Sequence, residues 1–148
     1  MKMKVTQCNE YIFSFLDKQN PIDIYSSQLL NCAFNKGDSD YRVKSNRKIA
    51  SKLLNNKEII FVNQIHSSKF FFYDNIRPHD IKADGIITKN KNVLLGILTA
   101  DCAPVILLGK EYFGILHVGW RGLLNNIISN AINFLIKRGE EKKNITIF

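Results

Sequence analysis

Two apolar runs, Ala103 to Leu108 and Tyr112 to Leu116, are separated by Gly109-Lys110-Glu111 alone. Three residues between β-rich runs leave room for a tight turn and nothing larger, so the runs fold back as an antiparallel hairpin. With Gly109-Lys110 as a two-residue loop, glycine first as a type II′ turn prefers, Cys102 faces His117 across the ribbon, their Cβ atoms roughly 4.5–5.5 Å apart. Pro104 then falls opposite Ile115 at a hydrogen-bonded position, where it has no N–H to give. A bulge or a one-residue shift is therefore expected near Pro104, with Cys102 and His117 still at one end of the ribbon. Val93 to Leu98 is a third nearly continuous apolar run, and such runs mark strands covered on both faces.

Elsewhere the pattern alternates between helix and strand. Asp38-Ser39-Asp40 offers capping side chains before Val43, Ile49, Ala50, Leu53 and Leu54, the apolar stripe of a helix that stops at Asn55-Asn56. Glu58 to Gln64, Lys69 to Tyr73, Gly85 to Thr88 and Ile145 to Phe148 read as strands. After the Gly119 to Gly122 turn, Leu124, Ile127, Ile128, Ala131, Ile132 and Leu135 keep helical spacing up to a stop at Lys137-Arg138-Gly139. Glu10 to Leu16 is only a short apolar segment, and Asn20-Pro21 carries turn chemistry. At 148 residues, 45% of them hydrophobic and 23% charged, the chain fits one α/β or α+β layered domain with mixed strands.

The composition also bounds compartment and partners. No apolar stretch reaches the ~18 residues of a membrane span, and no apolar signal core follows the first lysines, so a cytoplasmic protein without a membrane partner is expected. Three cysteines, Cys8, Cys32 and Cys102, make an odd and irregular set that suits free thiols in a reducing compartment. The net charge of +8 is scattered through loops without a basic stripe and interleaved aromatics, which argues against nucleic acid as a partner. Oligomeric state is not written in these residues.

His66, Cys102 and His117 each stand where an apolar strand meets a loop, the usual place for reactive groups. Two imidazoles and a thiolate form a borderline-soft set suited to zinc, with a fourth position left for water or substrate. Their spacing matches no short metal signature. Cys102 as a nucleophile with His117 as its base, or ordinary half-buried side chains, fit the residues as well. Asp101 is most simply a turn acid, since its side chain on a strand faces away from Cys102, and His79 beside Pro78 is most simply a surface histidine. Gly119-Trp120-Arg121-Gly122 leads into a helix whose first N–H groups, with the Arg121 guanidinium, suit an anion. The same residues also fit a plain glycine turn with Trp120 against the core and Arg121 in solvent.

Four segments in order, Gln64-Ile65-His66, Ala83-Asp84-Gly85-Ile86-Ile87-Thr88, Thr99-Ala100-Asp101-Cys102-Ala103-Pro104-Val105 and His117-Val118-Gly119-Trp120-Arg121-Gly122, resemble the multicopper polyphenol oxidase (laccase) domain family. That family is also called YfiH-like or purine nucleoside phosphorylase. Leu30-Asn31, Gly37-Asp38 and Asn46-Arg47 extend the likeness from about residue 25 to the end. The resemblance implies a single domain over 1–148, with a layered αββα sandwich and mixed sheet related to cysteine hydrolases. It further implies a zinc, with copper as the alternative, held by His66, Cys102 and His117 as the catalytic group. Arg121, Arg47, Gly119 and Gly122 would then bind substrate and phosphate.

The activity so implied is phosphorolysis of adenosine, inosine, guanosine or methylthioadenosine, with adenosine deamination beside it, so that nucleoside and phosphate are the partners. A Cys-His hydrolase, a peptidoglycan editing factor and a copper phenol oxidase are alternatives, the last disfavoured by a total of three histidines. A metal-binding paralogue without turnover is a further one. It is motivated by three departures from the family pattern: Phe13-Ser14-Phe15-Leu16-Asp17-Lys18 in place of a Gly-Thr-Arg-Gly-Gly-like segment, Ser67 where glycine is usual, and Phe148 as the last residue where family members continue through a Gly-Pro segment.

Overall fold

Strand pairing and helix capping account for the first of two units, Met1–Lys57. In this computed structural model, residues 4–8 and 11–15 are described as backbone, and 31–34, 36–76 and 80–148 with their side chains. The turn expected at Asn20-Pro21, the family-like Leu30 and the loop histidine His79 lie outside the described residues. Strand β1 (Lys4–Cys8) pairs antiparallel with β2 (Tyr11–Phe15), Lys4 opposite Phe15 and Cys8 opposite Tyr11. The sequence had suggested no more than an apolar segment there. Of the three capping candidates it is Ser39 that caps α1 (Asp40–Leu53), its hydroxyl accepting the Arg42 N–H at 3.4 Å. Val43, Asn46 and Ala50 form the buried stripe of α1, and Asn55 and Asn56 beyond it are left-handed, with φ of 62° and 57°. Asparagine tolerates that conformation better than most residues, which explains why the expected stop works.

The second unit, Glu58–Phe148, holds the remaining elements. These are β3 (Glu58–Phe61), β4 (Phe71–Tyr73), β5 (Gly85–Thr88), β6 (Val93–Gly96), β7 (Ala103–Leu108), β8 (Phe113–Val118), α2 (Trp120–Leu124), α3 (Ile127–Lys137), a 3-10 turn at Lys142–Asn144 and β9 (Thr146–Ile147). β3 and β6 form a parallel pair, and a five-stranded sheet runs in the order β4-β5-β8-β7-β9. Only β4 and β5 are parallel within that sheet, so it is mixed, as expected. Side chains alternate faces along a strand. Ile87 of β5 accordingly joins Leu107, Leu116, Ile127, Ala131 and Leu135 under α3, while Ile86 joins Ile60, Val62, Tyr73 and Val93 at the β3–β6 pair. The sheet is covered on both faces, and each fully buried Ile or Leu contributes roughly 1.5–3 kcal/mol.

Two details depart from the simplest sequence reading, the first of them the shift that Pro104 called for. Along the β7–β8 hairpin, Leu108 lies opposite Phe113 and Pro104 opposite His117, so Pro104 does not face Ile115 and Cys102 does not face His117. The loop has moved one residue on, to Lys110-Glu111, with the Gly109 N–H donating to the Tyr112 carbonyl at 2.8 Å. The cause is Glu140, whose carboxylate accepts the N–H groups of Lys110, Glu111 and Tyr112 at 2.8, 2.7 and 3.0 Å. Pro104 is harmless in this register. Ile106 exchanges both of its backbone bonds with Phe148, so Pro104, two residues earlier, also turns its nitrogen away from β8. The second difference is that the single helix expected after the glycine turn is two, broken at Asn125 and the left-handed Asn126 (φ 60°).

Candidate metal centre

Asp84, immediately before β5, is fully buried, and its carboxylate gathers the site. Its backbone carbonyl accepts the His117 N–H at 2.6 Å, which continues the β5–β8 ladder by one rung. One carboxylate oxygen lies 3.0 Å from Nδ1 of His117 and accepts the His66 N–H at 2.9 Å. The other accepts the N–H groups of Ile65 and Ser67, at 3.3 and 2.6 Å, and the Ser67 hydroxyl at 2.8 Å. Burial pushes the Asp84 carboxyl upward, but these donors outweigh it and hold its pKa below the ordinary carboxylate value. The loop so bound carries His66 in the left-handed region, φ 57°.

His66, Cys102 and His117 thereby meet. Their potential ligand atoms all lie within 4.8 Å of one another, with His66 exposed, Cys102 half-buried and His117 buried. The two imidazole rings meet edge to face, centroids 4.9 Å apart and planes at 85°. Donor atoms around one tetrahedral zinc are roughly 3.5 Å apart, given the usual Zn–N and Zn–S lengths, so small side-chain rotations bring this group onto one ion. With Nδ1 of His117 engaged by Asp84, Nε2 is the nitrogen left for a metal. The donor set fits a borderline-soft transition metal, and the exposed His66 side leaves a position for another ligand.

Two further features hold the group in place. The Gln64 side-chain amide donates to the Leu98 carbonyl at 2.8 Å and accepts the Leu98 N–H at 2.7 Å, joining the segment before His66 to the segment before Cys102. In the observed register Cys102 comes against Gly119, where a Cβ would lie 3.1 Å from the Cys102 Sγ and 3.4 Å from His66 Cδ2.

The residues expected to bind phosphate fare differently. A Cβ on Gly122 would lie 2.9 Å from the Ser67 carbonyl, so Gly122, like Gly119, has a steric reason to be glycine. Arg121 is exposed and stacks on the exposed Trp120 ring at 4.2 Å, the plain-turn arrangement for Arg121 but not for Trp120, which was expected against the core in that alternative. Arg47 lies on α1 in the other unit, its Nε donating to the Cys32 carbonyl at 3.0 Å and its guanidinium over the Phe34 ring. Burial lowers the Arg47 pKa and raises that of Cys32. Asp101 is exposed.

Gln64, Asp84 and Ser67 stand inside or beside the family-like segments, yet no motif in the sequence marks them as parts of the site. The available signal was an aspartate directly before the short Gly85-Ile86-Ile87-Thr88 strand, since a buried carboxylate must find donors.

Fold and site together define a mixed α/β protein with a His-Cys-His group of a size and chemistry that can hold one metal ion. Residues 15–148 match the family described as Multi-copper polyphenol oxidoreductase laccase, and the chain belongs to that family. It is 36% identical over 104 residues to a purine nucleoside phosphorylase of Aquifex aeolicus (strain VF5), covering 70% of this chain and 50% of that protein. A purine nucleoside phosphorylase of Campylobacter jejuni is 36% identical over 107 residues, 69% of this chain and 46% of its own length. The chain thus spans about half the length of these relatives. Among solved structures, the hypothetical protein YfiH of Bacillus licheniformis superposes with a TM-score of 0.78 at 26% identity, over 90% of this chain and 55% of that one.

Proposed function

We propose that this chain carries the centre of a zinc-dependent purine nucleoside phosphorylase, with His66, Cys102 and His117 as both metal ligands and catalytic group. The observation that carries this reading is the convergence of three donors from three segments to within 4.8 Å, in a chain similar to proteins named purine nucleoside phosphorylase. Phosphorolysis needs an anion held beside C1′ of the ribose and help for a purine that departs with negative charge. Zinc bound here supplies positive charge to stabilise that developing charge. Arg121, exposed beside the turn that follows His117, offers phosphate a planar pair of donors. Gly119 and Gly122 let the backbone approach Cys102 and Ser67 closely. Adenosine deamination falls to the same residues.

In this reading residues 1–148 form one domain of the layered αββα, cysteine-hydrolase-like kind, and the protein is cytoplasmic. No helix among the described residues is long and apolar enough to cross a membrane.

The test joins metal analysis of the purified chain to release of base from inosine in the presence of phosphate. Stoichiometric zinc and phosphate-dependent release are expected, both lost in Cys102→Ala. Full turnover in a chelated, zinc-free preparation would transfer the chemistry to Cys102 and His117 as a hydrolase pair. Zinc without turnover would leave a metal-binding paralogue, and phenol oxidation after copper loading would revive the oxidase alternative.

A further inference from the structure

The two histidines of the centre lie 51 positions apart in the sequence, yet the same carboxylate governs both. We infer that Asp84 is the positioning residue of this site: a single buried carboxylate fixes the tautomer of His117 and the backbone conformation of His66, so the ligand group is assembled before any metal arrives. The inference rests on the reading of His66, Cys102 and His117 as metal ligands, and reaches beyond it to how they are set.

At His117, a carboxylate oxygen 3.0 Å from Nδ1 accepts a proton there and gives nothing back, because an ionised carboxylate has no hydrogen to donate. In its neutral form, the form that binds a metal, the ring then carries its proton on Nδ1 and its lone pair on Nε2. That is the tautomer a metal requires at Nε2, and the ring cannot flip without breaking the bond.

At His66 the action runs through the main chain. A non-glycine residue at φ 57° is uncommon and persists where its surroundings hold it. Here the N–H groups of Ile65, His66 and Ser67 all point to the Asp84 carboxylate. Three consecutive amides converging on one anion form a backbone nest, and the Ser67 hydroxyl adds a fourth donor from that segment. These bonds to the buried carboxylate offset the left-handed backbone that turns the His66 imidazole toward His117, edge to face at 4.9 Å.

Asp84→Asn tests this, because the amide keeps the shape while replacing one acceptor by a donor that faces donors. The first readout is zinc affinity by competition with a chromophoric chelator, expected to fall 10–100-fold. The second is the ¹⁵N spectrum of the His117 ring in metal-free protein. Wild type is expected to show the Nδ1–H tautomer alone with a slowly exchanging proton, and Asp84→Asn a mixture of tautomers. Should Asp84→Asn fail to fold, the metal-free wild-type spectrum still decides, and Ser67→Ala, which keeps the nest amides, is expected to retain the wild-type tautomer.

An Nε2–H or mixed tautomer in metal-free wild type, or unchanged zinc affinity in folded Asp84→Asn, would overturn the inference. A wild-type chain with the Nδ1–H tautomer but no nucleoside phosphorolysis would sink the functional reading and leave Asp84 in its role.

Discussion

At position 119 a side chain as small as a methyl group would press on the Cys102 sulfur at 3.1 Å and on the His66 ring at 3.4 Å. Gly119 has φ −84°, which any residue adopts, so the demand for glycine there is one of space and not of backbone. Gly119→Ala should therefore change folding stability by less than about 1 kcal/mol while displacing the sulfur from its position. Misplaced ligands lose affinity, and zinc binding by chelator competition is expected to weaken roughly tenfold with an unchanged circular dichroism spectrum. His66, Cys102 and His117 were legible as candidates because each punctuates an apolar strand, but their meeting was not. It depends on Asp84, whose carboxylate finds its partners 17 to 33 residues away. No local pattern records bonds of that range.

The hairpin shows what the next scale adds. From sequence, β7 was legible to the residue, Ala103 to Leu108, and the presence of a turn after it was legible, though not its two loop residues. The register was not, since the position of the loop is set by Glu140, 28 to 30 residues further on. Burial raises the Glu140 carboxyl pKa, but the three backbone N–H donors outweigh it and leave the value depressed. The sign follows from that. A depressed carboxylate contributes stability that is fully present above the unfolded value, about 4.3, and is lost as pH falls through the folded value. Glu140→Gln should cost about 1–3 kcal/mol in urea unfolding at pH 7. Wild type and variant should converge as pH falls from the unfolded carboxylate range through the depressed folded value. The helix break follows a similar logic. The apolar spacing from Leu124 to Leu135 runs straight through Asn125-Asn126 and favours one helix, so the break there was not legible.

For the molecule as a whole, sequence reasoning reached the mixed sheet, its coverage on both faces and the helix capped by Ser39, because binary pattern and capping chemistry are local signals. The parallel β3–β6 pair was not foreseen as a pair, since it joins strands 35 residues apart and no turn announces it. An ion held by segments this distant should bind the folded state far better than the unfolded one. At zinc one hundred times its dissociation constant the gain is about 2.7 kcal/mol, equivalent to roughly 5–10 °C in Tm for a chain of this size. Thermal unfolding with and without chelator should show that difference in wild type and none in Cys102→Ala. Gln64 bears on how such an ion would leave. Its amide adds a rung made from a side chain just past the β3–β6 ladder, fastening the strand ends that lead to His66 and to Cys102. Peeling either ligand outward strains the same two bonds, so demetallation would proceed as one cooperative event and not ligand by ligand.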